Sequence, residues 1–453
     1  MRIAVDLHAH SMFAGGAGGL SLSVGKKEES LKKAHIRFIE ADKTSRMKGI
    51  RILGTGDIQF APWLEFVKKS LSEVEEGFFV YKNSSLRYVL QTEIIVTVPF
   101  NRKRKASHVV ILFPNIESVE NFRHLLVRFG SKIEKMARPF VTLNSPEQCS
   151  EFFFEVKAID HFIEIFPAHI LTPEGVYGGN NGVDKLEWFF GEFVSEIRAV
   201  ETGLSADPEV LALIPELDNK VLLSNSDAHS AAINRIAREF TVLNMSKFDY
   251  KGLINSIRNA NIEFTLEFPP SEGRFFFTGH RAGRKKPKPH KNNEYCYFSP
   301  DKIPKDNICP ICGAQLTKGV LHRAFEICQT WGEKRSFENI RLSQRFIHGV
   351  PLVEVIATAL RLKSANSKKV LRLYERLLGE FGTEVELWSL SVDNVVSRLE
   401  NVKIPIPVKN AIELVKKDLF GFEPPGFDGQ YGKLVLGKKV PYLGQKKIEG
   451  NFY

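Results

Sequence analysis

Residues 1–11, MRIAVDLHAHS, join a short apolar strand to two histidines at its end. Side chains two positions apart on a strand point to the same side, so His8 and His10 face one way while Leu7 and Ala9 face the other. An isolated pair of this kind is a weak signal, because a single histidine at a strand end is more often a hydrogen-bonded structural residue. The pair therefore predicts a metal site only if other strands also end in ligands.

The first 270 or so residues repeat the same arrangement of an apolar run, a polar loop and a helix-like stretch. Short apolar runs bounded by turn signals are typical of buried strands. Strands that alternate with helices predict an α/β domain with a parallel sheet, and about seven repeats favour closure into a barrel. The predicted strands are RIAVDL, RILGTG, YVLQTEIIV, HVVILF, FIEIFP, IRAVET and KVLLSN.

Histidines and carboxylates recur at the ends of these predicted strands. In a parallel β/α barrel the carboxyl ends of the strands meet on one face, where active sites lie. Imidazole and carboxylate groups are good ligands for Zn²⁺, Mn²⁺ and Fe²⁺, and a cluster of this size predicts roughly two or three ions, with Glu93 as the bridging carboxylate. Asp57 and Glu201 have an alternative role, which is to orient a ligand histidine without touching the ion. The candidates are His8, His10, Asp57, Glu93, His108, His169, Glu201, Asp227 and His229.

The bulk composition narrows the class of protein. The 453 residues favour two or three domains, and the net charge of +10 raises the expectation of a polyanionic partner such as nucleic acid. The five cysteines are an odd number, which argues against a disulfide framework. No apolar run approaches the roughly 18–20 residues of a membrane helix and no signal peptide opens the chain, so we expect a cytoplasmic protein without membrane association.

Changes in composition divide the chain into four predicted segments. Residues 1–278 are the barrel. Residues 279–328, rich in Pro, Lys and Asn, are a small zinc-binding module. Residues 329–420 are a helical DNA-binding domain, because SKKVLRLYERLLGEFG has the apolar spacing of one buried helix face. Residues 421–453 are a Gly- and Lys-rich tail, expected to be loop-like and ordered only against DNA or the main body.

Cys309 and Cys312 form the knuckle CPICG, which is a strong zinc signal because the tight turn aims both thiolates at one ion. A closed tetrahedral site needs two more ligands. Cys296 is the best third ligand, and His290 is preferred as the fourth, with His280 as the competitor. We expect this zinc to be structural, because a segment with so little apolar content needs a metal to fold.

Two basic runs are candidate DNA contacts. Residues of this kind bind phosphates without selecting a sequence. For either run alone, a solvated surface is an equally good interpretation, but one run adjoins the zinc module and the other leads into His108, so a DNA track towards the barrel mouth is favoured. The first run contains Arg102, Lys103, Arg104 and Lys105, and the second contains Arg281, Arg284, Lys285, Lys286 and Lys288.

The motifs DLHAHS, GTGD, TEI and SDAH, with the lone His108 and His169, resemble those of the polymerase-and-histidinol-phosphatase (PHP) metallophosphoesterases. The sequence is closer still to one branch, the endonuclease Q family. The matching stretches run almost the length of the chain: GTGDIQFAPWL, VETGLSADP, NSDAHS, CPICGAQLTKGVLHR, VPLVEVIATAL and EPPGFDGQYGK. The resemblance implies a distorted (β/α)₇ barrel with a trinuclear metal centre. Three features depart from the pattern. Phe60 replaces an expected histidine, Ala237 replaces an expected glycine, and the acidic residue expected shortly after the two histidines has no counterpart in SMFAGGAGG.

This resemblance implies a metal-dependent DNA repair endonuclease. The cut would fall 5′ to a deaminated base (uracil, hypoxanthine or xanthine) or an abasic site, in double- or single-stranded DNA, and replication or repair factors are candidate partners. The residues that the resemblance implies as ligands of divalent Zn, Mg or Mn ions are His8, His10, Glu93, His108, His169, Asp227 and His229. The implied catalytic residues are these seven together with Asp57. A small-molecule phosphomonoesterase is an alternative that fits the barrel but not the zinc module. A DNA-binding module with a degenerate metal site is a third, which Phe60 keeps open.

Overall fold

The computed structural model describes residues 1–14, 27–134, 136–283, 290 and 293–449. Its strands are β1 (Arg2–Asp6), β2 (Ile52–Gly54), β3 (Leu71–Glu75), β4 (Phe78–Tyr81), β5 (Arg87–Phe100), β6 (Lys103–Phe113), β7 (Phe140–Thr142), β8 (Glu164–Pro167), β9 (Ala199–Glu201), β10 (Val221–Leu223), β11 (Phe240–Asn244), β12 (Ile262–Glu267), β13 (Thr278–His280), β14 (Tyr295–Phe298), β15 (Phe346–His348), β16 (Phe420–Phe422), β17 (Leu434–Leu436) and β18 (Lys446–Glu449).

The helices lie between and after these strands. They are α1 (Lys27–Lys48), α2 (Ala61–Ser70), α3 (Ile116–Arg128), α4 (Pro146–Ile159), α5 (Glu187–Phe190), α6 (Pro208–Leu211), α7 (Tyr250–Arg258), α8 (Val320–Thr330), α9 (Leu352–Ala359), α10 (Lys368–Phe381), α11 (Glu384–Ser389), α12 (Val392–Asn401) and α13 (Ile406–Lys416). In α10 the buried side chains follow the predicted apolar stripe from Val370 to Leu377, and the Ser367 side chain caps its first turn. The fold is therefore mixed α/β, with a helical region towards the C-terminus.

The main sheet has the strand order β15-β12-β11-β1-β2-β5-β4-β3, and β6 connects β5 to β8. The pairs β1–β2 and β2–β5 are parallel, as predicted, but β5–β6, β6–β8 and β1–β11 are antiparallel. The expectation of a uniformly parallel sheet is therefore wrong. β9 and β10 form a separate parallel pair, so closure into a barrel stays a prediction.

The antiparallel β5–β6 pair has a local cause in the chain. Asn101 and Arg102 both have positive φ, at 48° and 60°, which is the backbone of a two-residue type I′ hairpin turn. Pro99 pairs with Arg104 and Ile95 with His108 along the resulting ladder. The turn places Glu93 and His108 on neighbouring strands close to each other, although fifteen residues separate them in sequence.

The C-terminal segment is ordered against the main body over its described part. β16 and β17 form an antiparallel hairpin, and β18 pairs with β14 of the predicted zinc module. The Phe427 ring packs against Tyr295 and Tyr297, with centroids 5.5 and 5.3 Å apart. Residues expected to form a loop-like tail thus add strands to two sheets. Within the described residues, none of the helices combines the length and the apolar character that crossing a bilayer requires.

Candidate metal centre

His8 and His10 follow directly after β1, at the carboxyl end of that strand. Ala9 bridges to Ala228, and the amide of His10 donates to the carbonyl of Ala228, so the residues just after β1 lie alongside the SDAH segment. The amide of Leu7 donates to Asn225 Oδ1. The strand alternation therefore aims both imidazoles at the loop that carries Asp227.

The first ligand group contains His8, His10 and Asp227, whose ligand atoms lie within 4.8 Å of one another. His10 Nε2 lies 3.1 Å and His8 Nε2 3.7 Å from Asp227 Oδ1. The second group contains Glu93, His108 and His169. Glu93 Oε1 lies 2.7 Å from His108 Nδ1 and 3.4 Å from His169 Nε2.

Glu93 connects the two groups. Its Oε2 atom lies 3.4 Å from His10 Nε2 and its Oε1 atom 3.6 Å from His8 Nε2, while Oε1 also faces the second group. The carboxylate is completely buried between them. Its two oxygens thus face different sets of histidines, which is the arrangement expected of the bridging ligand predicted from the sequence.

The donor set fits metal ions. Ligands about 2.1 Å from a common ion, at angles near 90–110°, lie roughly 3.0–3.4 Å apart, close to the separations found here. Among the described residues of this site, four buried polar atoms also lack a hydrogen-bond partner: His8 Nε2, His10 Nε2, Asp227 Oδ1 and His229 Nδ1. Unpartnered buried polar atoms are costly unless a bound ion or an ordered water satisfies them. The unpartnered atoms around the first ligand group are therefore best explained by a cation site there, and the separations among Glu93, His108 and His169 indicate a second one.

The electrostatics of the cluster balance buried carboxylates against imidazoles. Burial lowers the pKa of His10, but the charges of Asp57, Asp227 and Glu93 outweigh burial and raise it to about 10. Burial raises the pKa of Glu93, but His108, His169 and His10 outweigh it and hold that pKa well below its usual range. The carboxylates thus stay ionised and attract positive charge, which protons supply in the absence of metal and divalent ions supply when bound.

Asp57 and Glu201 contact ligand histidines from behind. Glu201 accepts from Nδ1 of His8, with both oxygens 3.0 Å away, and Asp57 Oδ1 lies 3.3 Å from His10 Nδ1. The Ser11 hydroxyl and amide also donate to Asp57. The orienting role that the sequence left open for both carboxylates therefore matches their geometry, since each leaves Nε2 of its histidine free for an ion.

Three site residues have left-handed backbones. Asp57, His169 and Asp227 have φ values of 47°, 29° and 45°. Such conformations are uncommon for residues with a Cβ atom and concentrate at functional sites, where surrounding contacts hold them in place. For His169 these contacts include Thr172, whose hydroxyl lies 2.8 Å from Nδ1.

Phe60 and His229 lie outside the two ligand groups. Phe60 is buried at the start of α2 and packs against Phe13, with ring centroids 5.5 Å apart. His229 stacks on His10 at 4.3 Å, and its Nε2 lies 3.4 Å from Asp227 Oδ1. The position where a histidine was expected is thus part of the hydrophobic core, and His229 is adjacent to the first group rather than a member of it.

The two ligand groups open into a cavity of about 490 Å³. Four arginines line this cavity, together with Phe275 and Tyr431, and the sequence did not indicate any of the four. They are Arg138, Arg235, Arg238 and Arg274. Arg138 Nη1 lies 3.1 Å from Glu93 Oε2, so its charge adjoins the bridging carboxylate. These arginines are scattered singly along the sequence and carry no pattern, although Arg235 and Arg238 follow SDAH within ten residues. The mouth of the cluster is therefore suited to a phosphate-containing ligand.

A second candidate metal site lies in the predicted zinc module. Ligand atoms of His280, His290, Cys309 and Cys312 lie within 4.8 Å of one another. Cys309 Sγ is 3.4 Å from His290 Nε2, and Cys312 Sγ is 3.3 Å from His280 Nδ1. The knuckle turns through Gly313, whose φ is 73°. Both candidate histidines thus join the two knuckle cysteines.

Cys296 is adjacent to this group of four rather than part of it. β13 and β14 pair His280 directly with Cys296, and Cys296 Sγ lies 3.7 Å from Cys309 Sγ. A hydrogen bond from Cys296 outweighs burial and lowers the pKa of Cys309, which favours the thiolate form of that cysteine. The geometry favours His280 over Cys296 as the remaining ligand, with Cys296 hydrogen-bonded to Cys309.

The basic runs contribute less than predicted. Lys105 is buried, and its ammonium donates to the carbonyls of Pro173 and Gly178 at 3.3 and 2.9 Å, so it is not placed to bind DNA. Burial, together with the charge of Arg323, lowers its pKa to about 7. Arg102, Lys103, Arg104 and Arg281 are exposed. The predicted contacts Arg284, Lys285, Lys286 and Lys288 lie outside the described residues.

No protein-family model matches this chain. A 244-residue stretch, 52% of the chain, is 30% identical to an uncharacterised protein of Methanocaldococcus jannaschii and spans only 28% of that protein. Over 447 residues the chain is 24% identical to the uncharacterised protein YqxK of Bacillus subtilis, covering 96% of the chain and 99% of the relative.

Two solved structures match over nearly the whole length. One is the lesion-specific endonuclease PfuEndoQ from Pyrococcus furiosus, with a TM-score of 0.72, 25% identity and 96% coverage of both chains. The other is endonuclease Q in complex with a 27-mer duplex substrate that has an abasic lesion at the active site, with a TM-score of 0.73, 24% identity and coverage of 98% and 99%. Both matches span nearly the whole chain, so the shared fold is not limited to its N-terminal part. The chain is therefore similar, over almost its whole length, to solved structures of endonuclease Q.

Proposed function

We propose that this protein is a metal-dependent endonuclease that nicks DNA at a lesion. The observation that carries the proposal is the pair of ligand groups sharing Glu93, at the floor of a cavity with four arginines in its wall. A phosphodiester brings negative charge to such a cavity, and guanidinium groups recognise phosphate oxygens well. The similarity to a lesion-specific endonuclease and to an endonuclease Q complex with abasic-site DNA supports the same activity here.

Two divalent ions, Zn²⁺, Mg²⁺ or Mn²⁺, are proposed for the centre. His8, His10 and Asp227 would hold one, His108 and His169 the other, and Glu93 would bridge them. When bound, such ions acidify water and stabilise charge on phosphate oxygens, which is the chemistry that phosphodiester hydrolysis requires. We propose two ions rather than three because Phe60, buried beside Phe13, offers no ligand at the position where the resemblance implies a histidine.

The chain's own residues prepare the site in two ways. Glu201 and Asp57 hold the protons of His8 and His10 on Nδ1, which leaves Nε2 of each ring as a lone-pair donor. Arg138, beside Glu93, is placed to bind an oxygen of the phosphate that enters the cavity. The wall of arginines favours the phosphodiester over neutral ligands.

The proposed substrates are duplex and single-stranded DNA with deaminated bases (uracil, hypoxanthine or xanthine) or abasic sites. The proposed cut lies 5′ to the lesion and leaves 3′-hydroxyl and 5′-phosphate ends. Flipping the lesion out of the helix suits such substrates, because weakened or missing pairs cost less to open. A structural zinc, held by His280, His290, Cys309 and Cys312, is proposed to fix the module that lies beside the C-terminal strand β18.

The test is a nicking assay with purified full-length protein. Duplexes labelled on one strand carry a single uracil, hypoxanthine or abasic site, or no lesion, and are incubated with Mg²⁺, Mn²⁺ or EDTA. We expect metal-dependent nicking of at least one lesion duplex, at the phosphodiester bond on the 5′ side of the lesion. The undamaged control duplex should not be nicked. No nicking of any lesion duplex would refute the proposal. Faster turnover of a phosphomonoester than of DNA would instead favour the phosphatase alternative.

A further inference from the structure

The C-terminal segment 424–432 reaches across to the mouth of the metal centre. The amides of Gly426, Gly429 and Gly432 donate to the carbonyls of Ser271, Arg274 and Glu272 at 2.7, 2.9 and 2.8 Å. A Cβ atom at Gly426 would lie 2.0 Å from the carbonyl oxygen of Gly273, and one at Gly432 would lie 2.3 Å from that of Ser271. Only glycine permits this approach, so the segment is fixed beside the cavity from both ends.

Tyr431 is the side chain that this segment adds to the cavity wall. The Cζ atoms of Arg235 and Arg274 each lie 5.5 Å from the centroid of its ring. Guanidiniums at this distance are attracted by the aromatic quadrupole. Tyr431 is 40% exposed, so it forms part of the surface that a ligand meets.

The arginines around Tyr431 carry more positive charge than the nearby acids neutralise. Arg235, Arg238 and Arg274 all act on Glu272, yet burial outweighs their charges and raises the pKa of Glu272 to about 7. Glu272 is therefore only partly ionised at neutral pH. Asp227 and Glu239 also act on Arg238, but Asp227 belongs to the first ligand group, and burial raises the pKa of Glu239 well above its usual range. The mouth of the cavity therefore carries uncompensated positive charge that favours binding of an anion.

We propose that Tyr431 is a positioning residue that holds the guanidiniums of Arg235 and Arg274 at the mouth, where they bind phosphates of the DNA strand entering the metal centre. This inference rests on the proposed function. Long arginine side chains lose conformational freedom when they bind, and a ring that orders them beforehand removes part of that cost. The segment 424–432 thus has a role in DNA binding although it is remote in sequence from the metal ligands.

The experiment compares Tyr431→Leu, Tyr431→Phe, Arg274→Gln and the double variant Tyr431→Leu/Arg274→Gln. Binding of the full-length, zinc-replete proteins to a duplex with an abasic-site analogue is measured by fluorescence anisotropy without added divalent ions, at several salt concentrations. Nicking is measured with Mn²⁺. Tyr81→Leu is the matched control, because Lys82 Nζ lies 5.1 Å from that ring and neither residue lines the cavity.

We expect Tyr431→Leu to weaken DNA binding by about ten-fold, with kcat within two-fold of the wild type, while Tyr431→Phe keeps the aromatic face and stays within two-fold. The salt dependence of binding should become shallower in Tyr431→Leu, by roughly one phosphate contact. The double variant should bind only slightly more weakly than Arg274→Gln, since the ring acts through the arginines. Tyr81→Leu should bind like the wild type.

Equal losses in the Phe and Leu variants would overturn the inference, because the hydroxyl rather than the ring would then matter. Additive losses in the double variant would also overturn it and would point to a ring that stacks directly on a base. Unchanged binding by Tyr431→Leu, or no binding of DNA by the wild type, would do the same. Failure of the wild type to nick lesion DNA would refute the proposed function. The comparison of DNA binding among the variants would still test the positioning role of Tyr431.

Discussion

Glu201 lies beneath the metal centre and joins three of its parts. Its oxygens accept from His8 Nδ1 at 3.0 Å, from the His169 amide at 2.8 Å and from Asn225 Nδ2 at 2.9 Å. A carboxylate only accepts hydrogen bonds, so it forces the proton of His8 onto Nδ1 and leaves Nε2 facing Asp227 and Glu93. Glu201→Gln is nearly isosteric but replaces one acceptor oxygen by a donor.

The consequence of Glu201→Gln follows from counting donors. Three donors surround two oxygens in the native protein, whereas the glutamine offers one oxygen and adds an NH₂ group. If that group faces His8 Nδ1, the ring must move its proton to Nε2, where it blocks the metal. Loss of such an orienting partner lowers metal affinity by about 10–100-fold, or roughly 1.4–2.7 kcal/mol. An unsatisfied buried donor costs about 1–3 kcal/mol of stability in addition.

The assay is Mn²⁺ titration of the full-length protein with its zinc site filled, with free Mn²⁺ followed by electron paramagnetic resonance. Glu164→Gln is the matched control, because Glu164 is a buried carboxylate bound to Arg258 at 2.7 Å and lines neither ligand group. Both variants should unfold at lower denaturant concentration, but only Glu201→Gln should bind Mn²⁺ more weakly. Mn²⁺ affinity within two-fold of the wild type, or an equal loss in Glu164→Gln, would refute the reasoning.

Four further outcomes are expected. His8→Ala combined with His10→Ala should abolish metal-dependent nicking and reduce bound Mn²⁺, with DNA affinity within about three-fold, which gel-shift and metal analysis would check. Cys309→Ser should lose the bound zinc in elemental analysis, and retention of stoichiometric zinc would contradict the assigned ligands. Ala237 has a φ of 47°, so Ala237→Gly should stabilise the protein by up to about 1 kcal/mol in urea unfolding. Burial lowers the pKa of His348, but Asp207 and Asp418 outweigh it and raise the pKa from 6.5 to about 10. The contribution of His348 to the stability of the folded protein is therefore complete below pH 6.5 and is lost as the pH rises towards 10. The difference in Tm between the wild type and His348→Gln should shrink from pH 6 to pH 10.

The hairpin between β5 and β6 illustrates a feature that the sequence contained but the prediction missed. Asn101 and Arg102 are a two-residue turn between long apolar runs, yet the following lysines and arginines favoured an exposed basic loop. Lys105 illustrates the opposite case. No local pattern indicates that its ammonium meets the carbonyls of Pro173 and Gly178, because those carbonyls come from a loop about seventy residues away.

The sequence by itself determined the ligand types and the strand ends that present them. Strand alternation aims His8 and His10 together, and the CPICG knuckle brings Cys309 and Cys312 together, because both are local consequences of backbone geometry. Only the tertiary structure decided which groups meet. It arranged the ligands in two groups on either side of Glu93 and placed Phe60 in the core. It also placed Glu201 and Asp57 next to the Nδ1 atoms of His8 and His10. It also gathered four arginines and Tyr431 at one mouth, since contacts between residues this far apart depend on how the chain packs and leave no periodic trace in the sequence.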